Sequence, residues 1–501
     1  MRVWKMCLIF FVPALVQSQT AGPSRFQIAE FRARGQIEEV IPADLDGDNI
    51  KELIVTHHSN PPGGTNRRYI SVYWAGPGCK YLSNQSVEVE VAQRFTLYDF
   101  GAIPGEPGQV IVALSRNTAE YYRFVNKTLE GPLPLLKFSN QLIQISDPDR
   151  ILYHDFLYDW NQDGQNEIMI YQMFESDLFY YSQDKWVQSA IDLPMDSRNF
   201  AITPLRKMFP HGEINVHYQT PSIFIHDREG DGKPELFVIN DEDVWIYKLN
   251  PDGIYNEKPA YRLFLNLMDP KERIRQRSQL TVQIADLDDD GKADMITNYQ
   301  YGGFFNQRAD LKIFFGKDQW AETNKALKPS RAWTMTSWVI GPFIRDVNAD
   351  KNADLIMPTV QIGVVSAAQV LITNNFPFDF QYYISSDHKI PEQPTTIDQA
   401  SIRIDFTEGK MIGGFPTPFG DFNGDGIDDM VLGKGEQELM VVIKDRMGKR
   451  TNQQELIRVP TAIIPLVEDL NADNKADIIL VYQMDPDRQG EFRVLINQGN
   501  W

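Results

Sequence analysis

A ten-residue acidic pattern recurs seven times along this 501-residue chain, each time just ahead of an apolar run. DLDGDNIKEL starts at Asp44, DWNQDGQNEI at Asp159, DREGDGKPEL at Asp227 and DLDDDGKADM at Asp286. DVNADKNADL follows at Asp346, DFNGDGIDDM at Asp421 and DLNADNKADI at Asp469. Carboxylates packed this closely repel one another unless a cation sits among them. Asp, Asn and Gly also populate ordinary acidic turns for local reasons. Seven copies in one context, each followed by a strand-like segment, exclude coincidence.

Alternating oxygens in a tight loop suit a hard cation such as calcium, which takes about six to eight oxygens at roughly 2.3–2.6 Å. The spacing predicts side-chain ligands at positions 1, 3, 5 and 9. These are Asp44, Asp46, Asp48 and Glu52; Asp159, Asn161, Asp163 and Glu167; Asp227, Glu229, Asp231 and Glu235; and Asp286, Asp288, Asp290 and Asp294. The remaining loops supply Asp346, Asn348, Asp350 and Asp354; Asp421, Asn423, Asp425 and Asp429; and Asp469, Asn471, Asp473 and Asp477. Position 7 is assigned as a backbone carbonyl ligand: Ile50, Gln165, Lys233, Lys292, Asn352, Ile427 and Lys475. Position 6 is Gly or Asn everywhere except Lys351, as a left-handed residue would require. Magnesium fits less well, since it prefers fewer protein ligands and keeps its waters.

An EF-hand shares the opening but needs Glu at position 12 and flanking helices. Here position 12 is Val55, Ile170, Val238, Thr297, Met357, Leu432 or Leu480, and the following segments, such as ELIVT and DIILV, are β-like. The EF-hand is excluded.

The gap from Asp44 to Asp159 is about twice the others and contains FTLYDFGAIPGEPGQVIVALS, residues 95–115. Placing Asp99 at position 1, with Gly101 and Ile103 at positions 3 and 5, gives an eighth repeat that has lost its metal. Each interval holds enough β-like segments for a four-stranded blade, with the acidic loop joining strands 1 and 2. Only two strands follow Asp469, so FQIAEF, residues 26–31, is expected to complete the last blade and close the ring. The fold expected is an all-β, eight-bladed β-propeller, with seven blades the competing count.

FGDFNGDGIDDMVLG, residues 419–433, resembles the FG-GAP/VCBS repeat of integrin α-subunit propellers and many secreted bacterial proteins. The likeness runs over nearly the whole chain after the leader. It implies a propeller with up to seven structural calcium ions on the residues named above. The repeat at Asp99 departs from the pattern, so no metal is expected there. Proteins with this repeat include adhesion receptors, lectins and a few polysaccharide lyases, so the resemblance leaves function open.

Residues 1–18 read as a secretory signal: Arg2 and Lys5, then the apolar CLIFFVPALV, then Val16-Gln17-Ser18. Residues 19–501 would form the single propeller. No later apolar stretch is long enough to span a bilayer. The formal charge of −19 with no basic run excludes a nucleic-acid or anionic-membrane partner. Without Cys7 in the leader, Cys79 is the sole thiol and reads as a packed residue.

In a four-stranded blade the 1–2 and 3–4 connections emerge on one face, the 2–3 and 4–1 connections on the other. The longest insertions, 195–220 and 388–415 between blades and 299–307 within one, are expected opposite the acidic loops. That face is the candidate surface for a protein or glycan partner, with Tyr299, Tyr301, Phe304 and Phe305 able to stack on sugar or pack between blades. None of the seven histidines falls in a recognised catalytic signature. The reading is a secreted binding or adhesion module, with a carbohydrate-active lyase or glycosidase on the same scaffold as the alternative.

Overall fold

The computed structural model describes residues 24–501 apart from 61–65, 141, 144–148, 174, 203–212, 272–277, 304–305, 319–326, 362, 364–369, 371, 406–409 and 500. The expected leader, 1–18, lies outside the described residues. Eight blades follow one another along the chain, antiparallel throughout except that Leu152–Tyr153 adds to the second in parallel with Leu97–Tyr98. The first consists of Gln36–Ala43, Glu52–Ser59, Arg67–Gly76 and Lys80–Val91, paired in that order. Six further blades lie within 97–137, 157–191, 222–264, 279–335, 338–412 and 417–458. The eighth takes three strands from the C-terminal end, Leu466–Glu468, Asp477–Val481 and Glu491–Asn497, and its fourth from the N-terminal end, Phe26–Arg32. The eight-bladed count and the closure by FQIAEF both hold.

Burial explains which sequence becomes which strand. The second strand of each blade is covered on both sides by neighbouring blades, so it reads as an unbroken apolar run. Glu52–Ser59, Glu167–Ile170 and Asp354–Val360 are buried almost throughout. Fourth strands face solvent on one side, and Lys80–Val91 accordingly alternates. The apolar side chains gather into eight clusters, each joining two adjacent blades. The cluster of Phe31, Ile37, Leu53, Ile479 and Phe492 joins the eighth blade to the first.

Two expectations need correction. Asp99 lies inside the first strand of blade 2, Leu97–Ala102, not at the head of a loop. Its buried carboxylate accepts the Phe156 and Leu157 amides at 2.7 Å each, fastening blade 2 to blade 3. Residues 388–415 are not one connection either. Thr396–Asp405 is the outer strand of blade 6, and the segment before it joins strands 3 and 4, on the acidic-loop side. His388 lies there, its amide donating to Asn352 Oδ1 at 3.2 Å. The 195–220 insertion does leave from a fourth strand, as a hairpin of Asp196–Ile202 with Glu213–Gln219. Among the described residues no helix is long and apolar enough to cross a membrane.

Closure depends on Phe31, which is 2% exposed and stacks on Phe492 with centroids 4.7 Å apart. Phe31→Ala is expected to cost about 3–5 kcal/mol, as for other buried aromatic truncations. Denaturant unfolding would measure it, and a loss below about 1 kcal/mol would show that the ring does not rely on this strand.

Candidate metal centres

Each acidic loop joins the first and second strands of its blade, and all seven share one hydrogen-bond scheme. The position 1 carboxylate accepts the amide of position 6 at 2.5–3.1 Å. The position 5 carboxylate accepts the amide of position 7 at 2.8–3.0 Å. The position 9 carboxylate reaches back to the amide of position 2 at 2.8–3.1 Å. Position 9 starts the second strand, or immediately precedes it at Asp429, and is buried, between 0% exposed at Asp294 and 4% at Glu235. Where it is Asp, its other oxygen takes an amide from the end of the third strand or just past it: Gly316, Ser385, Lys444 and Asn497 at 2.6–2.8 Å. The acid thereby ties loop, hairpin and third strand together.

The backbone needs two left-handed residues per loop. Position 6 has φ of 61–89° in all seven, Lys351 included. Position 4 is left-handed as well: Gly47, Gln162, Gly230, Asp289, Ala349, Gly424 and Ala472, with φ of 55–79°. Only the three glycines hinted at this in the sequence. Loops of successive blades are also sewn together through the backbone. Ala293 N–H donates to the Asp227 carbonyl at 2.7 Å, Ala476 N–H to Asp421 at 2.6 Å and Lys51 N–H to Leu470 at 2.9 Å. The Gln109 amide does the same to Asp44 at 3.0 Å, although blade 2 has no acidic loop.

Three loops bring carboxylate oxygens within 4.8 Å of one another: Asp44, Asp46 and Asp48; Asp159, Asp163 and Glu167; and Asp286, Asp288 and Asp290. Asp46 Oδ1 and Asp288 Oδ1 are buried with no hydrogen-bond partner. Such an oxygen is costly to bury alone, and a cation between the acids would satisfy it. The residues present therefore fit a metal ion. In four loops position 3 is Asn, whose Oδ1 accepts the position 5 amide at 2.9–3.1 Å. Where position 3 is an acid it also meets a basic side chain: Glu229 Oε1 lies 2.7 Å from Lys248 and 2.8 Å from Arg228, Asp46 Oδ2 lies 3.0 Å from Lys127, and Asp288 Oδ2 pairs with Lys317.

Burial, reinforced by the neighbouring carboxylates, pushes the position 9 acids up. Glu167 rises to about 8, Glu52, Asp294, Asp429 and Asp477 to about 7, and Asp354 to about 6. Glu235 rises for the same reason, while the Lys248 ammonium holds Glu229 down.

On the opposite face, Tyr299 is 7% exposed and stacks on Tyr301 at 5.0 Å, and its hydroxyl accepts the Asp269 amide. It packs and caps a connection, so it is not an open sugar platform. Phe304 and Phe305 lie outside the described residues.

The one long, positively charged side chain in a left-handed position 6 is Lys351. Lys351→Gly removes the clash of its Cβ with the backbone, partly offset by glycine's greater unfolded-state entropy. The net gain expected is up to about 1 kcal/mol, read as a higher melting temperature at saturating calcium. A lower melting temperature would mean that the loop does not hold this conformation.

Residues 227–297 match the FG-GAP-like repeat, from the acidic loop of blade 4 to the second strand of blade 5. No curated protein matches the chain in sequence. Solved structures similar to it include a lectin of Agrocybe aegerita described as recognising non-reducing terminal N-acetylglucosamine. That lectin is 11% identical, covering 92% of this chain and 86% of its own, with a TM-score of 0.34. The V. cholerae biofilm matrix protein Bap1 is 12% identical over 95% of this chain and 92% of its own, with a TM-score of 0.38. The Dos1 propeller is 10% identical over 95% and 97%, with a TM-score of 0.40. The chain is an eight-bladed β-propeller carrying the FG-GAP-like repeat at residues 227–297.

Proposed function

We propose that this protein is an exported, calcium-stabilised propeller that serves as a binding or adhesion module for a protein or glycan. The observation that carries this reading is the sevenfold return of one amide-capped acidic loop on a single face. Calcium in these loops acts structurally: the loop's own residues supply every ligand, at positions 1, 3, 5, 7 and 9, whereas metal catalysis needs an open position. Residues 1–18 direct export, and 19–501 form the one propeller. Recognition then belongs to the face formed by the 2–3 and 4–1 connections, which the loops leave free to vary.

At about 10⁻⁴ M affinity in millimolar calcium, each site would contribute roughly 1.4 kcal/mol. Several sites together would rival the net stability of a typical domain, about 5–15 kcal/mol. Calorimetric titration of chelator-stripped protein should find several calcium ions per chain, with a large rise in melting temperature. Asp290→Asn should remove one of them. No binding, or one ion with unchanged stability, would overturn the structural-calcium reading. On glycan and protein arrays the loaded protein should retain a ligand without turnover; release of new sugar ends would make it an enzyme.

A further inference from the structure

Where blades 6, 7 and 8 meet on the face opposite the acidic loops, two adjoining cavities of about 690 and 480 Å³ share Arg403, Ile412 and Gly435. Together they make one groove. The larger end is lined by Arg403, Arg458, Arg488 and Arg493, set against Glu436 and Glu438. Four guanidinium groups in one depression stand out in a chain whose formal charge is −19. Arg403 and Arg458 are exposed, and neither has a carboxylate partner among the described residues. Arg493 is held by Glu30 at 2.9 Å, and the Arg488 guanidinium lies 4.0 Å from Asp485 and 5.7 Å from the centre of the Tyr482 ring. The smaller end adds Asn375, Gln399 and Ser401 beside Lys434, Arg450 and Asp379, the last accepting from Gln399 Nε2 at 3.0 Å.

The walls are fixed before any ligand arrives. The turn that carries Gly435 and Glu436 is pinned by Thr461, whose hydroxyl donates to the Gly435 carbonyl at 2.9 Å and whose amide donates to Glu436 at 3.0 Å. Tyr482 donates to the Pro460 carbonyl at 2.8 Å. Gly433 lies so close to Gly413 that a Cβ there would fall 1.2 Å from the Gly413 carbonyl oxygen, so only glycine lets the strand carrying Ile412 close the floor. A rigid wall loses little freedom on binding.

We propose that this groove binds an anionic polysaccharide, its carboxylate or sulfate groups meeting the arginines and its hydroxyls meeting the amide and hydroxyl side chains. Guanidinium groups match carboxylate and sulfate oxygens in paired hydrogen bonds, which a scatter of lysines would not. An acidic peptide is disfavoured because the groove offers polar side chains for hydroxyls and little aromatic surface for peptide anchors. The inference deepens the binding-module reading and rests on it.

The test uses calcium-loaded protein and four polymers: polygalacturonate for carboxylate, heparin for sulfate, dextran as neutral glycan and polyglutamate as acidic peptide. Calorimetry should show binding to polygalacturonate or heparin, weakened at least tenfold between 50 and 200 mM salt, and not to dextran. The double variant Arg403→Gln/Arg458→Gln should lose at least tenfold in affinity at an unchanged melting temperature. Both residues are exposed, so folding should survive; Gln437→Lys, at the same rim, should tighten binding without touching them. Equal binding by the double variant would overturn the groove while leaving the binding module intact. Polyglutamate binding tightest would replace the glycan with a peptide, and no binding to either anionic polysaccharide would overturn the inference. Only empty glycan and protein arrays would sink the broader reading.

Discussion

Seven of the eight blades hinge on one buried carboxylate, the acid at position 9, which accepts the amide of position 2. It sits at the start of the most deeply buried strand, where a free carboxyl is costly, and it is tolerated because backbone amides surround it. In three loops further carboxylate oxygens gather within 4.8 Å of one another. This arrangement fixes the loop, the loop fixes the first hairpin, and in blades 1, 5, 7 and 8 the position 8 amide ties the loop to the preceding blade. Blade 2 shows the same logic with other parts. Asp99 has moved into the strand, yet it still spends its oxygens on amides of the next blade.

A ring built this way divides its labour between its faces. The acidic-loop face repeats one scheme to within a few tenths of an ångström, because amide capping demands fixed geometry. The other face carries no such constraint. Its connections range from tight turns to the hairpin of Asp196–Ile202 and Glu213–Gln219. Loops on a rigid scaffold are where recognition is free to vary, since changing them leaves the blade cores untouched.

Much of this was legible in the sequence because the responsible residues are periodic. The acids at positions 1, 5 and 9, the left-handed position 6 and the closing strand FQIAEF all announce themselves through spacing. Position 4 does not: Ala349, Ala472 and Gln162 adopt left-handed conformations that their side chains do not advertise. The outer strand TIDQASIRID was read as part of an insertion because an exposed fourth strand is mostly polar and resembles a loop. The motif also gives no sign of the distant lysines that pair with the position 3 acids, Lys248 with Glu229, Lys127 with Asp46 and Lys317 with Asp288. The arginine groove was invisible for a simpler reason. Its four guanidinium groups come from three blades, and only the ring brings them together.

That separation also bears on how an acidic protein can hold an acidic ligand. Most of the patterned carboxylates lie in the seven loops. A strand of seven or eight residues spans roughly 25 Å, so the loops stand about that far from the opposite face. Screening in physiological salt falls off over about 8 Å. A ligand in the groove therefore experiences its own arginines far more than the distant loops, and cations bound in those loops would weaken the remaining repulsion further. The formal charge of −19 thus describes the whole chain without describing either face. The propeller keeps its electrostatic strain on the side of the acidic loops and leaves the other side free to take a charge of its own.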